Sequence, residues 1–228
     1  MKHILALASD YDGTIADDGV TAESTKLAFE RLKASGRKLV LVTGRPINEL
    51  TEVFDRLDLF DIVVGENGGL LYYPATGTIR ALAPSPSEAL VARLRERGVD
   101  ELAVGHTIVA SHDGHLAVIR ETVAELGQGL EVILNTDAVM ILPTGVDKAS
   151  GLTAALAELG LPHAAVAAIG DAENDLAFLQ AAGFAVAVGN ALPQVKAIAH
   201  HVTTGIRGAG VEELIALLLD ETVPATVR

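Results

Sequence analysis

Two acidic residues near the amino end of the chain are the first candidates for chemistry. Asp10 and Asp12 stand two positions apart, directly after an apolar run over residues 4–8 and just before Gly13. In an extended chain, side chains two positions apart lie on one face, and a glycine allows the backbone to turn sharply beside them. Two close carboxylates favour a divalent cation. An ordinary Asp-Gly turn would account for this cluster equally well when it is taken alone.

A second cluster, Thr43-Gly44-Arg45, follows the apolar run over residues 38–42. A hydroxyl group and unhindered backbone N–H groups suit phosphate oxygens, and the Arg45 guanidinium adds a forked donor. The alternative is a strand-to-helix turn in which Thr43 only satisfies the N–H groups of its own loop.

The third and fourth clusters lie in the second half of the chain. Lys148 stands at a predicted helix start, where a cation is unfavourable to the helix dipole unless an anion lies nearby; the alternative is a solvated surface lysine. Asp171, Asn174 and Asp175 follow a predicted strand, and Asp171 could act as a helix N-cap. Capping does not require Asp175, and three oxygen-bearing side chains at one helix start suit Mg²⁺.

The elements that carry these clusters alternate between strand and helix. Short apolar runs alternate with helical periodicities up to residue 64, which predicts a parallel sheet. A hairpin over 70–82 interrupts the alternation. An α+β unit then follows, with a strand over 102–104, for which a continuation to 109 is the alternative, and a helix over 114–126. The alternation resumes with helices over 148–159, 174–181 and 211–219, and residues 221–228 form a loose tail.

We therefore predict an α/β fold with a doubly wound, mainly parallel, Rossmann-like sheet and an inserted α+β cap. Residues 1–83 and 145–228 form the two parts of the core, and residues 84–144 form the insertion, which we name the cap unit. Ligands of open α/β sheets bind beyond the carboxyl ends of the strands. The four clusters are therefore expected to meet at one edge of the core sheet.

Composition narrows the classes of function. The chain has 17 basic and 30 acidic residues among 228, and its formal charge of −13 argues against nucleic acid or an anionic membrane as partner. It has no cysteine, which excludes thiolate metal sites and cysteine nucleophiles. The apolar run at the amino end is too short for a secretory signal, so we predict a cytoplasmic protein.

Taken in this order, the clusters resemble the four motifs of the haloacid dehalogenase (HAD) superfamily of phosphohydrolases over the whole chain. The cap unit is similar to the α+β cap of the Cof-type and sugar-phosphatase branch, which includes certain phosphoglycolate and sucrose-phosphate phosphatases. Asn67-Gly68 resembles the Asn-Gly turn of that branch.

The resemblance implies a role for each cluster. Asp10 is expected to be the nucleophile that forms an aspartyl-phosphate, and Asp12 the general acid and base. Mg²⁺ is expected between the Asp10 carboxylate, the Asp12 main-chain carbonyl and Asp171, with Asp175 close behind. The expected phosphoryl ligands are Thr43, the Gly44 N–H and Lys148. Substrate specificity is assigned to the cap unit with Arg45 and Asn67 at its border, and Asn174 is expected to orient Lys148 or Asp10.

The predicted function is a Mg²⁺-dependent phosphatase for a small phosphorylated metabolite, either phosphoglycolate or a sugar phosphate, working as a monomer or homodimer. Two rivals remain: a phosphomutase on the same scaffold, and a phosphoacceptor or binding module that does not hydrolyse the phosphate. The polar candidates in the cap unit are His106, His112 and His115, for which solvated loop positions rank ahead of a zinc site.

Overall fold

A computed structural model describes residues 4–126, 129–135 and 138–220, and the predicted tail over 221–228 lies outside these ranges. In chain order, the strands are β1 (Ala6–Asp10), β2 (Ala16–Asp17), β3 (Val20–Thr21), β4 (Lys38–Val42), β5 (Ile62–Gly65), β6 (Leu70–Tyr73), β7 (Thr78–Ala81), β8 (Ala103–Val104), β9 (Val109–His112), β10 (Leu130–Asn135), β11 (Ala138–Pro143), β12 (Val166–Gly170), β13 (Phe184–Ala187) and β14 (His201–Val202). The α-helices are α1 (Glu23–Ala34), α2 (Ile47–Val53), α3 (Glu88–Glu96), α4 (Leu116–Leu126), α5 (Lys148–Leu159), α6 (Leu176–Ala181), α7 (Pro193–Ile198) and α8 (Arg207–Leu219). No described helix is long and apolar enough to cross a membrane.

The main sheet has eight strands in the order β14-β13-β12-β1-β4-β5-β6-β7. The pairs from β14 to β5 are parallel, whereas β6 and β7 are antiparallel. All five residues of β1 are buried, as expected for a central parallel strand that is covered on both faces. The predicted doubly wound α/β fold is confirmed. Because β1 pairs with β12 on one side and β4 on the other, the chain segments after these three strands lie side by side.

A second, antiparallel sheet has the strand order β10-β11-β9-β8, and all of its strands come from the cap unit. It packs with α3 and α4 around its own apolar cluster, which includes Leu90, Leu94, Ile119, Val139 and Ile141. The apolar residues of the main sheet form a different cluster. This arrangement is the one expected for an inserted α+β unit, and the boundaries at 84 and 144 stay predictions.

The structure differs from the sequence prediction at three places. The strand predicted over 102–104 is β8, but its continuation to 109 is wrong, because the Gly105 N–H donates to the Ile108 carbonyl, and the reversed chain forms the antiparallel strand β9. The small hairpin of β2 and β3 was not predicted; the Tyr11 hydroxyl, which donates to the Gly19 carbonyl at 2.8 Å, holds it. Helix α8 begins at Arg207 rather than 211, since Gly208 and Gly210 weaken the helical signal of its first turn.

A buried carboxylate joins the main sheet to the cap unit. Glu66 follows β5 and its side chain is fully buried. Its Oε1 accepts a hydrogen bond from the His106 N–H at 2.9 Å, and its Oε2 accepts from the Thr107 N–H at 2.6 Å and the Thr107 hydroxyl at 2.8 Å. The loop between β8 and β9 is therefore fixed to the end of β5.

We expect Glu66→Ala to lower the free energy of unfolding by about 2–4 kcal/mol, since donors of His106 and Thr107 lose their acceptor inside the protein. Urea unfolding measures this change, and hydrogen exchange at the two amides reports the release of the loop. The control is Glu101→Ala, which removes an exposed carboxylate of the cap unit. Equal stability losses for the two variants would show that Glu66 does not hold the loop.

Candidate active site

Asp10, the last residue of β1, lies at the centre of the main sheet and is 3 % exposed. Its Oδ1 accepts a hydrogen bond from Lys148 Nζ at 2.6 Å. Its Oδ2 is buried and has no hydrogen-bond partner in the described part of the chain. Burial, followed by the negative charge of Asp175, raises the pKa of Asp10 well above its usual range, although Lys148 acts in the opposite direction. The nearby lysine therefore compensates this carboxylate only in part.

Lys148 is the first residue of α5 and is buried, so the alternative of a solvated surface lysine is wrong. A capping box fixes the helix start: the Asp147 side chain accepts from the Ser150 N–H, and the Ser150 hydroxyl oxygen accepts from the Asp147 N–H. Besides Asp10, Lys148 Nζ bonds Asp175 Oδ1 at 2.7 Å. Burial alone would lower the pKa of Lys148, but the two carboxylates outweigh burial and raise it. The lysine is therefore a permanent cation beside Asp10.

The acidic turn after β12 is closed by Asp175 and not by Asp171. Asp175 is fully buried, and its Oδ2 accepts from the N–H groups of Asp171 at 2.8 Å and Ala172 at 3.0 Å. The predicted N-cap role of Asp171 is wrong, because Ala172 occupies the cap position of the short 3₁₀ helix Glu173–Asp175. The Asp171 carboxylate instead accepts from the Thr14 hydroxyl at 3.1 Å. Burial, followed by the charge of Asp175, raises the pKa of Asp171 to about 6.

The acidic groups fit a hard divalent cation. Asp10, Asp171 and Asp175 each offer a carboxylate oxygen, and these oxygens lie within 4.8 Å of one another. Lys148 forms ion pairs with Asp10 and Asp175 of this group. Three carboxylates therefore share the charge of one bonded lysine. The partnerless Asp10 Oδ2 and the raised pKa values of Asp10 and Asp171 have the same origin: carboxylates are crowded together away from water. An oxygen-only donor set of this kind suits Mg²⁺. The Asp12 carbonyl stays a predicted ligand.

Gly13 permits the close approach of the first loop to this group. Its φ is +76°, and a Cβ at this position would lie 2.3 Å from Asp171 Oδ2. Any other residue would therefore displace the Asp171 carboxylate or strain the backbone.

Asp12 points its carboxylate toward Arg45. Arg45 Nε donates to Asp12 Oδ2 at 2.8 Å and its terminal nitrogen donates to Asp12 Oδ1 at 2.7 Å, which is a bidentate pair. The hydrogen bonds to Asp12 are the main cause that raises the pKa of Arg45. Arg45 was predicted to bind substrate; in the structure its guanidinium is bonded to Asp12 at the rim of the site, and contact with substrate stays a prediction.

The remaining predicted phosphoryl and border residues divide into two groups. Gly44 and Asn174 line the cleft beside Asp10. Thr43 is buried, and its hydroxyl oxygen accepts from the Arg45 N–H at 3.1 Å, as in the loop-turn alternative. This bond leaves the hydroxyl hydrogen of Thr43 available to an oxygen acceptor. Asn67 is buried behind the cleft, and its side-chain oxygen accepts from Asn174 Nδ2 at 3.3 Å. Asn174 therefore bonds Asn67, contrary to the expectation that it orients Lys148 or Asp10.

A cleft of about 280 Å³ lies beside Asp10 and Lys148, between the main sheet and the cap unit. The lining residues are Asp10, Asp12, Gly44, Arg45, Pro46, Glu49, Ala110, Ala138, Met140, Lys148, Ala172 and Asn174. Of the described residues in the cap unit, only Ala110, Ala138 and Met140 line this cleft, and the three predicted polar candidates, His106, His112 and His115, do not.

Sequence reasoning missed three residues of the site. The Asn190 side-chain amide donates to the Gly13 carbonyl at 2.8 Å, Thr14 bonds Asp171, and Glu49 lines the cleft. Asn190 could have been found, because it follows β13, another parallel strand that ends at the same edge of the sheet. Glu49 gave no such signal, since an acidic residue in the first turn of a helix is common for dipole reasons alone.

Comparison with known proteins agrees with this geometry. A family model described as haloacid dehalogenase-like hydrolase matches residues 7–126 and 108–215. The phosphoglycolate phosphatase of Methanothermobacter thermautotrophicus is 32% identical over 92% of this chain and 96% of its own length. The 5-amino-6-(5-phospho-D-ribitylamino)uracil phosphatase YitU of Bacillus subtilis is 25% identical over 92% of this chain and 95% of its own.

Solved structures share the fold at lower identity. A haloacid dehalogenase-like hydrolase from Bacteroides thetaiotaomicron superposes with a TM-score of 0.79 at 22% identity, covering 93% of this chain and 98% of that chain. The HAD subclass IIB sugar phosphatase BT4131 superposes with a TM-score of 0.74 at 21% identity, covering 96% of this chain and 99% of that chain. By its family match and its most similar relatives, the chain belongs to the haloacid dehalogenase-like hydrolase family.

Proposed function

We propose that this protein, a phosphoric monoester hydrolase by family, is a Mg²⁺-dependent phosphatase that hydrolyses a small phosphorylated metabolite through an aspartyl-phosphate on Asp10. The observation that carries the proposal is the buried arrangement in which Lys148 bridges Asp10 and Asp175 beside Asp171. It combines a nucleophile, a fixed cation and an acidic group for a metal at the end of the central strand.

In the first half of the reaction, an oxygen of the Asp10 carboxylate attacks the phosphorus atom. A bond forms between this oxygen and phosphorus, and the bond between phosphorus and the oxygen of the leaving alcohol breaks. Asp12, in its protonated form, donates its proton to that oxygen. Arg45 holds Asp12 in place through two hydrogen bonds. Lys148 donates to the phosphoryl oxygens, whose negative charge is spread in the transition state.

A Mg²⁺ ion held by Asp10 and Asp171 would shield the approach of an anionic phosphate to the Asp10 carboxylate. Asp175 is assigned to position Lys148 and the turn after β12, because its oxygens already accept hydrogen bonds from Lys148 and from two backbone amides. Thr43 and the Gly44 N–H are assigned to the phosphoryl oxygens.

In the second half, Asp12 is ionised and removes a proton from a water molecule. The water oxygen bonds the phosphorus of the aspartyl-phosphate, and the bond between Asp10 and phosphorus breaks. The products are inorganic phosphate and the regenerated carboxylate. A phosphoacceptor protein, which takes up a phosphoryl group without hydrolysing it, does not need a general acid and base at position 12. The Asp12–Arg45 pair therefore favours a hydrolase over a phosphoacceptor module.

The substrate is proposed to be compact, either phosphoglycolate or a small sugar phosphate. The cleft volume of about 280 Å³ supports a small leaving group. Relatives named as phosphoglycolate phosphatases and a structural neighbour named as a sugar phosphatase support the same range.

The test is phosphate release from p-nitrophenyl phosphate and a panel of phosphorylated metabolites, with Mg²⁺ or with EDTA. We expect release with Mg²⁺, loss with EDTA and recovery on adding Mg²⁺ back. Asp12→Asn should lower kcat by about 10²–10⁴-fold because the acid and base is lost. Unchanged release in Asp12→Asn would contradict the mechanism. Isomerisation of a sugar phosphate that needs a bisphosphate activator, without free phosphate, would instead indicate a phosphomutase.

A further inference from the structure

One carboxylate of the cleft has no part in the proposed reaction. Glu49 lies in the first turn of α2 and lines the cleft together with Asp10 and Lys148. Its side chain is partly buried and makes no hydrogen bond or salt bridge within the described ranges. An acceptor that faces a ligand cleft without a partner is available to a ligand donor.

Both described cations that line the cleft form ion pairs with carboxylates of the protein. Among the described lining residues, the charged groups are three carboxylates, Asp10, Asp12 and Glu49, and two cations, Arg45 and Lys148. Arg45 is held by Asp12 through both arms of its guanidinium and also experiences the charge of Glu49. Lys148 is held by Asp10 and Asp175. A second negative group on the substrate would therefore meet Glu49 without a free cation to offset it.

The cap unit does not supply that cation either. Its described lining residues, Ala110, Ala138 and Met140, carry no charge and no strong side-chain hydrogen-bond donor. Two arginines of the cap unit are engaged elsewhere: Arg93 in α3 pairs with Glu125 and Glu96, and Arg97, which follows α3, pairs with Glu125. A site that recognises a carboxylate usually presents an arginine fork, and no described lining residue of the cap unit is an arginine.

We infer that Glu49 is a specificity-determining residue that accepts a hydrogen bond from a hydroxyl of the leaving group and rejects anionic leaving groups. The preferred substrate is then the phosphate ester of an uncharged, hydroxyl-bearing alcohol rather than a phosphorylated carboxylic acid such as phosphoglycolate. The inference rests on the proposed phosphatase function. It selects one of the two substrate classes proposed above, and it does so through charge: a substrate carboxylate near Glu49 is repelled within a partly dehydrated cleft.

A matched pair of esters tests the inference. 2-Hydroxyethyl phosphate and 2-phosphoglycolate differ only in a hydroxymethyl group against a carboxylate. We expect the wild-type enzyme to have a kcat/KM at least about tenfold higher for 2-hydroxyethyl phosphate. Competitive inhibition of p-nitrophenyl phosphate hydrolysis gives an inhibition constant for each ester. The ratio of these two constants tests the same preference at the binding step. Glu49→Gln, which removes the charge and keeps the shape, should reduce the preference to within about threefold.

The matched control is Glu52→Gln, which removes an exposed carboxylate from the same helix and should leave the wild-type ratio in place. A purely structural role of Glu49 at the start of α2 would change stability and not the ratio between the two esters. The inference is overturned if the wild-type enzyme uses 2-phosphoglycolate equally well or better, or if Glu49→Gln keeps the ratio of Glu52→Gln. A protein that hydrolyses none of these compounds, p-nitrophenyl phosphate included, would instead overturn the proposed function itself.

Discussion

Asp10→Asn is expected to abolish phosphate release, with kcat lower by about 10⁴-fold or more, while the protein remains folded. The amide oxygen of asparagine is a poor nucleophile, and no other described carboxylate is both at the end of β1 and bonded to Lys148. Asparagine has nearly the same shape as aspartate, so the substitution leaves no cavity. Replacing a buried carboxylate of raised pKa by a neutral group also relieves its repulsion with Asp175, so the free energy of unfolding should change by less than about 2 kcal/mol.

Steady-state kinetics with p-nitrophenyl phosphate and urea unfolding of the same preparation measure the two parts of this prediction. Asp55→Asn is the matched control, since Asp55 lies on the surface and pairs with Lys26. It should retain wild-type kcat. Activity of Asp10→Asn above about one hundredth of wild type would show that another group is the nucleophile.

Lys148→Met is expected to lower both activity and stability. We expect kcat to fall by about 10²–10³-fold, because a donor to the transferring phosphoryl group is lost. The free energy of unfolding should fall by about 3–5 kcal/mol, since Asp10 and Asp175 lose their shared cation in a buried site. Methionine fills similar space, so the loss reports charge rather than a cavity.

Urea unfolding with and without Mg²⁺ measures the loss of stability separately from the loss of activity. Because the acidic group is left without its lysine, added Mg²⁺ should stabilise Lys148→Met more than it stabilises the wild-type protein. Lys38→Met removes a half-exposed lysine that pairs with Asp61, and it should lower the free energy of unfolding by less than about 1 kcal/mol. Similar losses of unfolding free energy in Lys148→Met and Lys38→Met would mean that the ion pairs of Lys148 do not stabilise the site.

The strand ends of the core could be predicted from the sequence. Apolar runs mark β1, β4 and β12 clearly, and parallel strands bring their carboxyl ends to one edge, so Asp10, Thr43 and Asp171 were expected to lie together. The helix start at Lys148 was also predicted at its observed position, and the structure shows a capping box of Asp147 and Ser150 there.

Side-chain partners could not be predicted in the same way. Arg45 could equally bond a phosphate or a carboxylate, and only the tertiary structure shows its fork on Asp12. Asp171 was predicted as the N-cap by spacing, whereas in the structure it bonds Thr14, which is distant in sequence, and Asp175 accepts from the N–H groups of the turn. Glu66 looked like part of a turn, whereas its bonds to His106 and Thr107 depend on how the cap unit folds back.

The account depends on a covalent bond between Asp10 and phosphorus. The most direct measurement is chemical trapping: the enzyme is mixed with substrate and Mg²⁺, quenched in acid and reduced with borohydride, which converts an acyl phosphate into an alcohol. With p-nitrophenyl phosphate, whose leaving group needs little protonation, Asp12→Asn should slow the hydrolysis of the intermediate more than its formation and so increase the trapped fraction. We predict that peptide mass spectrometry locates the alcohol at position 10. Turnover without any trapped adduct, or an adduct on a different residue, would contradict the account.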